Sequence, residues 1–328
     1  MGENDVLETP GARQHKALPT RTALAASVVI CTRDRPDTIG RAVESVASQS
    51  ATSFDVLVVD QSRSNETQRI VQEYMQHYPH VRYLHLDRAG LSHAYNIGIK
   101  NTSGAVLAFT DDDCVAPPLW LATITRCFDE QADVALIYGQ VLSPTDMTGV
   151  EGDGVIPTLP IPQRKWLNQR DGFQVFGMGA NFAVRRSVCE QLGGFDEVLG
   201  GGGPLKSSQD FDFAYRVFRA GGTILLEPDV VIYHYGFRSL GQWPSTLKAY
   251  GIGDGAFYFK HVRAGDLYAA RLLLGKICLY SARELKHLIE RGRAGAQWDY
   301  VGHIFVGMYH SLRFGVDRRR RLYVARSL

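Results

Sequence analysis

The sequence predicts an α/β protein: one mixed, mostly parallel sheet flanked by helices, followed by a helical C-terminal extension. Three observations predict it. From Ala26 to Glu130 short β-rich runs alternate with segments of helical periodicity, the order in which crossover helices join parallel strands. Several of those runs end in polar residues, as they do where ligands sit beyond the carboxyl ends of an open α/β sheet. Past Phe237 the apolar spacing turns helical to the end of the chain.

Residues 1–23 are polar, with Pro10, Gly11 and Pro19 and no sustained periodicity, which predicts a mobile leader and structure from about Leu24. The alternation then reads as strand Ala26–Thr32, helix Asp37–Gln49, strand Phe54–Asp60, helix Glu66–His77, strand Val81–Leu86 and helix Leu91–Lys100. Strand Ala105–Thr110, helix Leu119–Glu130 and strand Val134–Tyr138 follow. Ser143–Gln174 holds four prolines and little periodicity, which predicts a functional loop. Beyond it come strand Phe176–Val184, helix Arg186–Leu192, the glycine run Gly200–Gly203, helix Ser208–Ala220, and strands Thr223–Leu226 and Val230–Tyr233. In Asp266–Arg291 apolar residues recur at helical spacing, an amphipathic helix.

The 328 residues are 45% hydrophobic and 21% charged, which excludes a disordered or collagen-like chain and suits one large domain with an appendage. Five cysteines, odd in number and never spaced C-x-x-C, suggest neither a disulfide framework nor a structural zinc site and fit a reducing cytoplasm. No apolar run approaches about 18 residues, and Glu3, Asp5 and Glu8 stand where a signal peptide carries cations. The net charge of +2 is unevenly spread, with residues 261–328 at +8 and residues 1–260 at −6. An acidic body opposes nucleic acid as a partner. The basic end, with Arg318–Arg321, predicts contact with an anionic membrane surface or a solvated end of a covering helix.

No G-x-G-x-x-G follows the first strand, which disfavours dinucleotide chemistry, and Pro204-Leu205 before Lys206 breaks the likeness of the glycine run to a P-loop. Neither a Gly-x-Ser-x-Gly elbow nor a His-Glu-x-x-His pair occurs.

Chemistry concentrates at strand ends. Asp111, Asp112 and Asp113 close an apolar strand, and three crowded anions suit a hard divalent cation such as Mg²⁺ or Mn²⁺, or else a solvated turn opening the next helix. Asp60 and Gln61 close another strand, where carboxylate and amide suit the donors of a base or ribose, or a turn with a cap at Ser64 or Asn65. Thr32, Arg33 and Arg35 precede Pro36 at a helix start, a place for phosphate. Asp210, after the glycine run, is a general-base candidate or a first-turn anion behind a Ser207 or Ser208 cap. His234 ends an apolar strand and is a further metal ligand or a partly buried structural histidine.

In order, these residues resemble family 2 glycosyltransferases, nucleotide-sugar-dependent enzymes of GT-A fold, over roughly residues 25–238. The resemblance is carried by Ala26–Pro36, Val56–Ser62, Gly90–Gly98, Ala108–Asp113, Gly179–Arg186, Gly193-Gly-Phe-Asp196, Gln209-Asp210 and His234. It implies a GT-A domain over 24–238, with a nucleotide-binding half at 24–114 and an acceptor half at 115–238, and a basic helical extension at 239–328. It implies Thr32, Arg33, Asp60, Gln61, Asp111 and Asp112 around the donor, Asp112, Asp113 and His234 around Mg²⁺ or Mn²⁺, and Asn181 and Gln209 toward sugar or acceptor. Asp210 would deprotonate the acceptor hydroxyl in a single displacement with inversion, the acceptor being a glycan or lipid-linked molecule of surface polysaccharide synthesis at the inner face of the membrane. Two positions depart from the pattern: Gln61 replaces a second acid, and Gln209 replaces the Glu of a Glu-Asp pair, which predicts a less raised Asp210 pKa than in relatives. A sugar nucleotidyltransferase, which typically carries a Gly-rich loop where this chain has Thr-Arg-Asp-Arg-Pro, and a non-catalytic nucleotide- or glycan-binding module are the alternatives.

Overall fold

The computed structural model describes residues 26–144, 154–174, 177–293, 295 and 297–326. The expected leader, Phe176 and part of the 143–174 connection lie outside the described residues.

The first half folds as the alternation predicts: β1 (Ala26–Thr32), α1 (Pro36–Ala47), β2 (Phe54–Asp60), α2 (Glu66–His77), β3 (Val81–His85), α3 (Leu91–Lys100) and β4 (Val106–Asp111). After β5 (Cys114–Val115) come α4 (Trp120–Glu130), β6 (Val134–Leu142), the short β7 (Gly154–Val155) and β8 (Lys165–Leu167), and β9 (Asn181–Arg185). Then follow α5 (Arg186–Leu192), α6 (Gln209–Arg219), β10 (Thr223–His234) and β11 (Arg238–Ser239). The extension holds α7 (Trp243–Arg263), α8 (Leu267–Arg291), α9 (Gln297–Ser311), β12 (Gly315–Asp317) and β13 (Leu322–Val324).

The main sheet has the order β3-β2-β1-β4-β9-β6-β10-β5, with β8 on β10. β1, β2, β3 and β4 pair in parallel, whereas β9 runs antiparallel to both β4 and β6. Period-two alternation splits β1 between two cores: Val29 and Cys31 join the cluster that includes Phe109 and Phe182, and Val28 and Ile30 the cluster under α1 and α4. A strand covered on both faces must be apolar throughout, and every residue of β1 is buried.

Several expectations are corrected. The two strands expected at 223–226 and 230–233 are one, because β10 absorbs the interruption as a register shift between Glu227 and Val231, beside Pro228. β6 runs on to Leu142, and the strand expected from Phe176 starts at Asn181. The long connection is not without structure: β7 pairs with β11, and β8 with β10. The chain is also not helical to its end. Past α9 it forms the hairpin β12–β13, and Arg318–Arg321 is its turn, with the Asp317 carboxylate accepting from the Arg319 and Arg320 amides at 2.9 and 3.0 Å. This hairpin is tied to the body, since Tyr323 donates its amide to Asp196 at 2.9 Å and its hydroxyl to the Ala256 carbonyl at 2.7 Å.

Candidate active site

Register places the polar strand ends side by side. Thr32 of β1 stands opposite Asp60 of β2, and Cys31 opposite Asp111 of β4. The chain then turns through Asp112 and Asp113 into β5, where Cys114 pairs with His234 of β10. Directly opposed antiparallel residues point to the same face, so the strand ends bring His234 beside the acidic turn.

The acidic turn is held by hydrogen bonds from three directions. Thr32 Oγ1 donates to Asp112 at 2.7 Å. Arg35 Nη1 donates to Asp112 at 3.0 Å and to Asp113 at 2.6 Å. His234 Nε2 lies 3.3 Å from the other Asp113 oxygen. Arg35 thus bridges the two carboxylates, whereas Arg33 stands 44% exposed with Asp34 at 3.8 Å as its ion-pair partner. The sequence placed both arginines on one polar loop; only the turn of the backbone into Pro36 decides which one reaches the carboxylates.

Burial pushes Asp111 up to about 7, helped by the charges of Asp113 and Asp112. Burial also raises Asp112, against the opposing pull of Arg35 and Thr32. Burial acts upward on Asp113 too, but the hydrogen bond and charge of His234, with Arg35, outweigh it and hold that carboxyl below its ordinary value. These residues fit a divalent cation. Asp113, Cys114 and His234 offer ligand atoms within 4.8 Å of one another, and the buried Nδ1 of His234 has no hydrogen-bond partner among the described residues. A Cβ on Gly236 would lie 2.4 Å from Asp113 Oδ2 and 2.9 Å from His234 Nε2, so only glycine leaves this cradle open. Carboxylate oxygen with imidazole nitrogen suits Mn²⁺.

Asp60 has no exposed surface and accepts from the Ser62 amide and the Tyr83 hydroxyl, each at 2.8 Å. Gln61 donates to the carbonyls of Arg88, at 2.5 Å, and Gly90, at 3.2 Å, which holds the entry to α3. The amide that replaces an acid here is engaged with backbone. Asn65 is the N-cap residue of α2, with no side-chain capping bond.

Asp210 opens α6, accepting from the Phe211 amide at 3.0 Å and the Gly179 amide at 3.1 Å. Burial pushes its pKa up to about 6, opposed by those backbone donors, with the Asp254 charge adding to the rise. The shift thus arises mainly from desolvation and not from a neighbour at position 209, where uncharged Gln209 is buried against Gly200. Neither serine caps α6 with its side chain. Ser208, at φ +68°, instead donates to Asp254 of α7 at 2.7 Å, and Ser207 to the Ala249 carbonyl at 3.0 Å. Gly253 lets α7 come this close: a Cβ there would lie 2.0 Å from Ser207 Oγ.

Asn181 lies in the sheet interior. Its side chain is fully buried, accepts from the Trp120 indole at 2.9 Å and donates to the carbonyls of Gln140 and Val230, both at 2.9 Å. It ties α4, β6 and β10 together, with both amide protons spent on backbone carbonyls and the indole donating to its oxygen. Tyr95, by contrast, was not foreseen. Its hydroxyl is buried without a partner among the described residues, and burial, then Asp111, with Cys31 and Asp210 further down, raise its pKa. The charges of both Asp111 and Asp210 reach this buried hydroxyl. The helix start Leu91-Ser-His-Ala-Tyr95 sets Leu91, Ala94 and Tyr95 at helical spacing, with no signal to distinguish this tyrosine from a core aromatic.

The acidic turn with His234 can hold a cation and its anion, and the Asp210 carboxylate can accept a proton near pH 6. The sequence model described as glycosyl transferase family 2 matches residues 27–193, a span that includes Asp60 and Asp111–Asp113 but not Asp210 or His234. The uncharacterized glycosyltransferase YibD of Escherichia coli K12 is 33% identical over 110 residues, 33% of this chain and 32% of its own length. Glycosyltransferase AglE of Haloferax volcanii is 27% identical over 239 residues, 72% of this chain and 74% of its own. Among solved structures, mannosyltransferase PcManGT from Pyrobaculum calidifontis, in complex with GDP-Man and Mn²⁺, superposes with a TM-score of 0.59 at 15% identity, covering 88% of this chain and 87% of that one. GalNAc-T7 with UDP, GalNAc and Mn²⁺ gives 0.53 at 21% identity over 74% and 51%. At these identities the solved structures bear on the fold, which they share with this chain.

Proposed function

The chain belongs to glycosyl transferase family 2, and from this we propose that it transfers a sugar, with inversion, from a nucleoside-diphosphate sugar to a hydroxyl of a glycan or lipid-linked acceptor. The observation that carries the reading is Asp210, held by the Gly179 and Phe211 amides at the start of α6 and pushed up by burial to about 6. A base works best when its pKa lies close to the working pH. Two of the relatives bound to nucleotide sugar or nucleotide also hold Mn²⁺, which supports the same donor chemistry here.

In this reading the Asp210 carboxylate takes the proton of the acceptor hydroxyl as that oxygen attacks the anomeric carbon and the bond to the diphosphate breaks. The Gly179 and Phe211 amides fix its orientation. Asp111, half-buried and without a hydrogen bond to its carboxylate from the described residues, is the free acceptor for ribose or sugar hydroxyls. Asp112, Asp113 and His234 would hold the divalent cation, which supplies Lewis-acid stabilisation of the departing diphosphate. Arg35, with half of its side chain exposed, can turn from the carboxylates toward phosphate oxygens, with Arg33 beside it. Thr32, Asp60 and Gln61 act by ordering this rim, and residues 24–114 and 115–238 serve as donor and acceptor halves.

The test is binding of nucleoside diphosphates and nucleotide sugars with Mn²⁺, with Mg²⁺ and with chelator, followed by diphosphate release in the presence of acceptors. Metal-dependent binding of one nucleotide with turnover supports transfer. Binding without turnover against every acceptor would favour a non-catalytic nucleotide-binding module, and binding indifferent to chelator would remove the metal from the reading.

A further inference from the structure

The extension turns apolar side chains to solvent in a regular pattern. On α9 and just past its end, Trp298, Phe305, Tyr309 and Leu312 are 41%, 52%, 67% and 42% exposed. With Gly302 they recur at alternating four- and three-residue steps, which is one stripe along a helix. The opposite side of α9, with Tyr300, Val301, Ile304 and Gly307, is buried. On α8, Leu267, Leu274, Leu285 and Ile289 are 84%, 60%, 54% and 75% exposed. Tyr280 of α8 meets Tyr300 of α9 with 4.8 Å between ring centroids, so the two helices lie side by side. A Cβ added at Gly275 or Gly302 would meet nothing within 4 Å. Exposed apolar stripes of this regularity on a helix mark a contact site.

Charge says what it contacts. Arg271, Arg283, Lys286, Arg291, Arg293 and Arg313 are exposed on or just beyond these two helices, against the exposed acids Glu290 and Asp299. Glu284 is buried and spent on the Gly295 and Gln297 amides, while Glu290 and Asp299 already face Lys286 and Lys248. None of the five arginines has an acidic partner among the described residues. A second copy of the same face would bring these arginines against one another, whereas anionic headgroups neutralise them, and Trp and Tyr suit the headgroup level. No helix among the described residues is long and apolar enough to cross a membrane, so the contact is one of lying on the surface.

We infer that the α8–α9 face seats the protein on an anionic lipid bilayer, its apolar stripes entering the acyl boundary and its arginines meeting headgroup phosphates. The contact is thereby moved from the Arg318–Arg321 turn, where Arg321 is bound to Asp266 at 2.5 Å, to the helices before it. The inference is independent of the transfer chemistry.

The experiment is co-sedimentation of the full chain with vesicles of phosphatidylcholine alone or mixed with phosphatidylglycerol, at low and high salt. Pelleting with the anionic vesicles, weakened by salt, is expected. Phe305→Ser with Tyr309→Ser, and separately Arg283→Gln with Arg291→Gln, should each lower vesicle affinity about tenfold, with the circular dichroism spectrum unchanged. No pelleting with anionic vesicles overturns the inference, as does undiminished pelleting by both variants. A dimer in sedimentation velocity that Phe305→Ser with Tyr309→Ser dissociates would assign the face to a second copy instead. Because vesicle binding reads no turnover, its failure and a failure of the transfer reading are separate results.

Discussion

Ser208 and Asp254 join two parts of the chain: the serine hydroxyl donates to the carboxylate at 2.7 Å, two residues ahead of the base candidate Asp210 and 46 residues from its partner. Asp254 is also bound by Lys276 and, at 2.5 Å, by the Tyr300 hydroxyl, so α6, α7, α8 and α9 share one carboxylate. The extension is thus a brace for the start of α6, which carries Asp210. Ser208→Ala should cost about 1 kcal/mol of stability and lower kcat with little change in donor KM. An unaltered kcat would show that the brace does not reach the chemistry.

Asp210→Asn removes the proton acceptor while keeping the shape of the side chain. Transfer should fall by about 10²–10⁴-fold, with nucleotide binding near its original strength by calorimetry. Transfer surviving within tenfold would place the base elsewhere.

The pH dependence follows from the raised pKa of Asp210. Only the ionised form accepts a proton, so kcat/KM should climb through about pH 6 and level off above it. Because the Asp254 charge contributes to the rise, Asp254→Asn should move this limb to lower pH. The stability linkage has the opposite sense. A carboxyl whose folded pKa, about 6, lies above its ordinary 3.8 adds stability that is full below 3.8 and lost as the pH rises through 6. Denaturant titrations of the wild-type chain between pH 4 and 7 would detect it.

Arg35 occupies the acidic turn as a cation would, bridging Asp112 and Asp113. A half-exposed pair of this kind is worth about 1 kcal/mol, so Arg35→Gln should bind Mn²⁺ about fivefold more tightly in the absence of nucleotide. Its thermal midpoint should rise more on adding Mn²⁺ than that of the wild type. Asp113→Ala with His234→Ala should abolish the Mn²⁺ effect.

Asn181 should behave as a structural residue. Asn181→Ala strands the Trp120 indole and the carbonyls of Gln140 and Val230 in the sheet interior, at a cost of about 3 kcal/mol. Urea midpoints should fall while nucleotide affinity, measured below the transition, stays constant. A selective loss of affinity at unchanged stability would return Asn181 to the ligand site.

The legible part of the site was its acids. Asp60, Asp111, Asp112 and Asp113 stand out because each follows an apolar run that local sequence marks as a buried strand, and Asp210 because it follows a glycine run at a helix start. What stayed hidden were the partners. Thr32 meets Asp112 across 80 residues of sequence and Arg35 meets Asp113 across 78. Tyr95 reads locally as one more core aromatic, and its Phe109, Phe182 and Phe195 neighbours confirm that packing, while burial and the Asp111 charge raise the pKa of its unpartnered hydroxyl.

By itself the sequence determined which segments become strands and helices in the first half, that the sheet is covered on both faces, and which strand ends bear carboxylates. Those properties follow from periodicity and turn chemistry within a few residues, and the same local logic marked α8 as two-faced. Tertiary structure alone decided the antiparallel insertion of β9 between β4 and β6, the closing of the chain by a hairpin instead of a helix, the pairing of Cys114 with His234, and the burial of Asn181. Each depends on contacts between residues far apart in the chain, where strand order and register choose among partners of equal local merit. The raised Asp210 pKa belongs to the same group, because desolvation is a property of the packed surroundings and not of the residue.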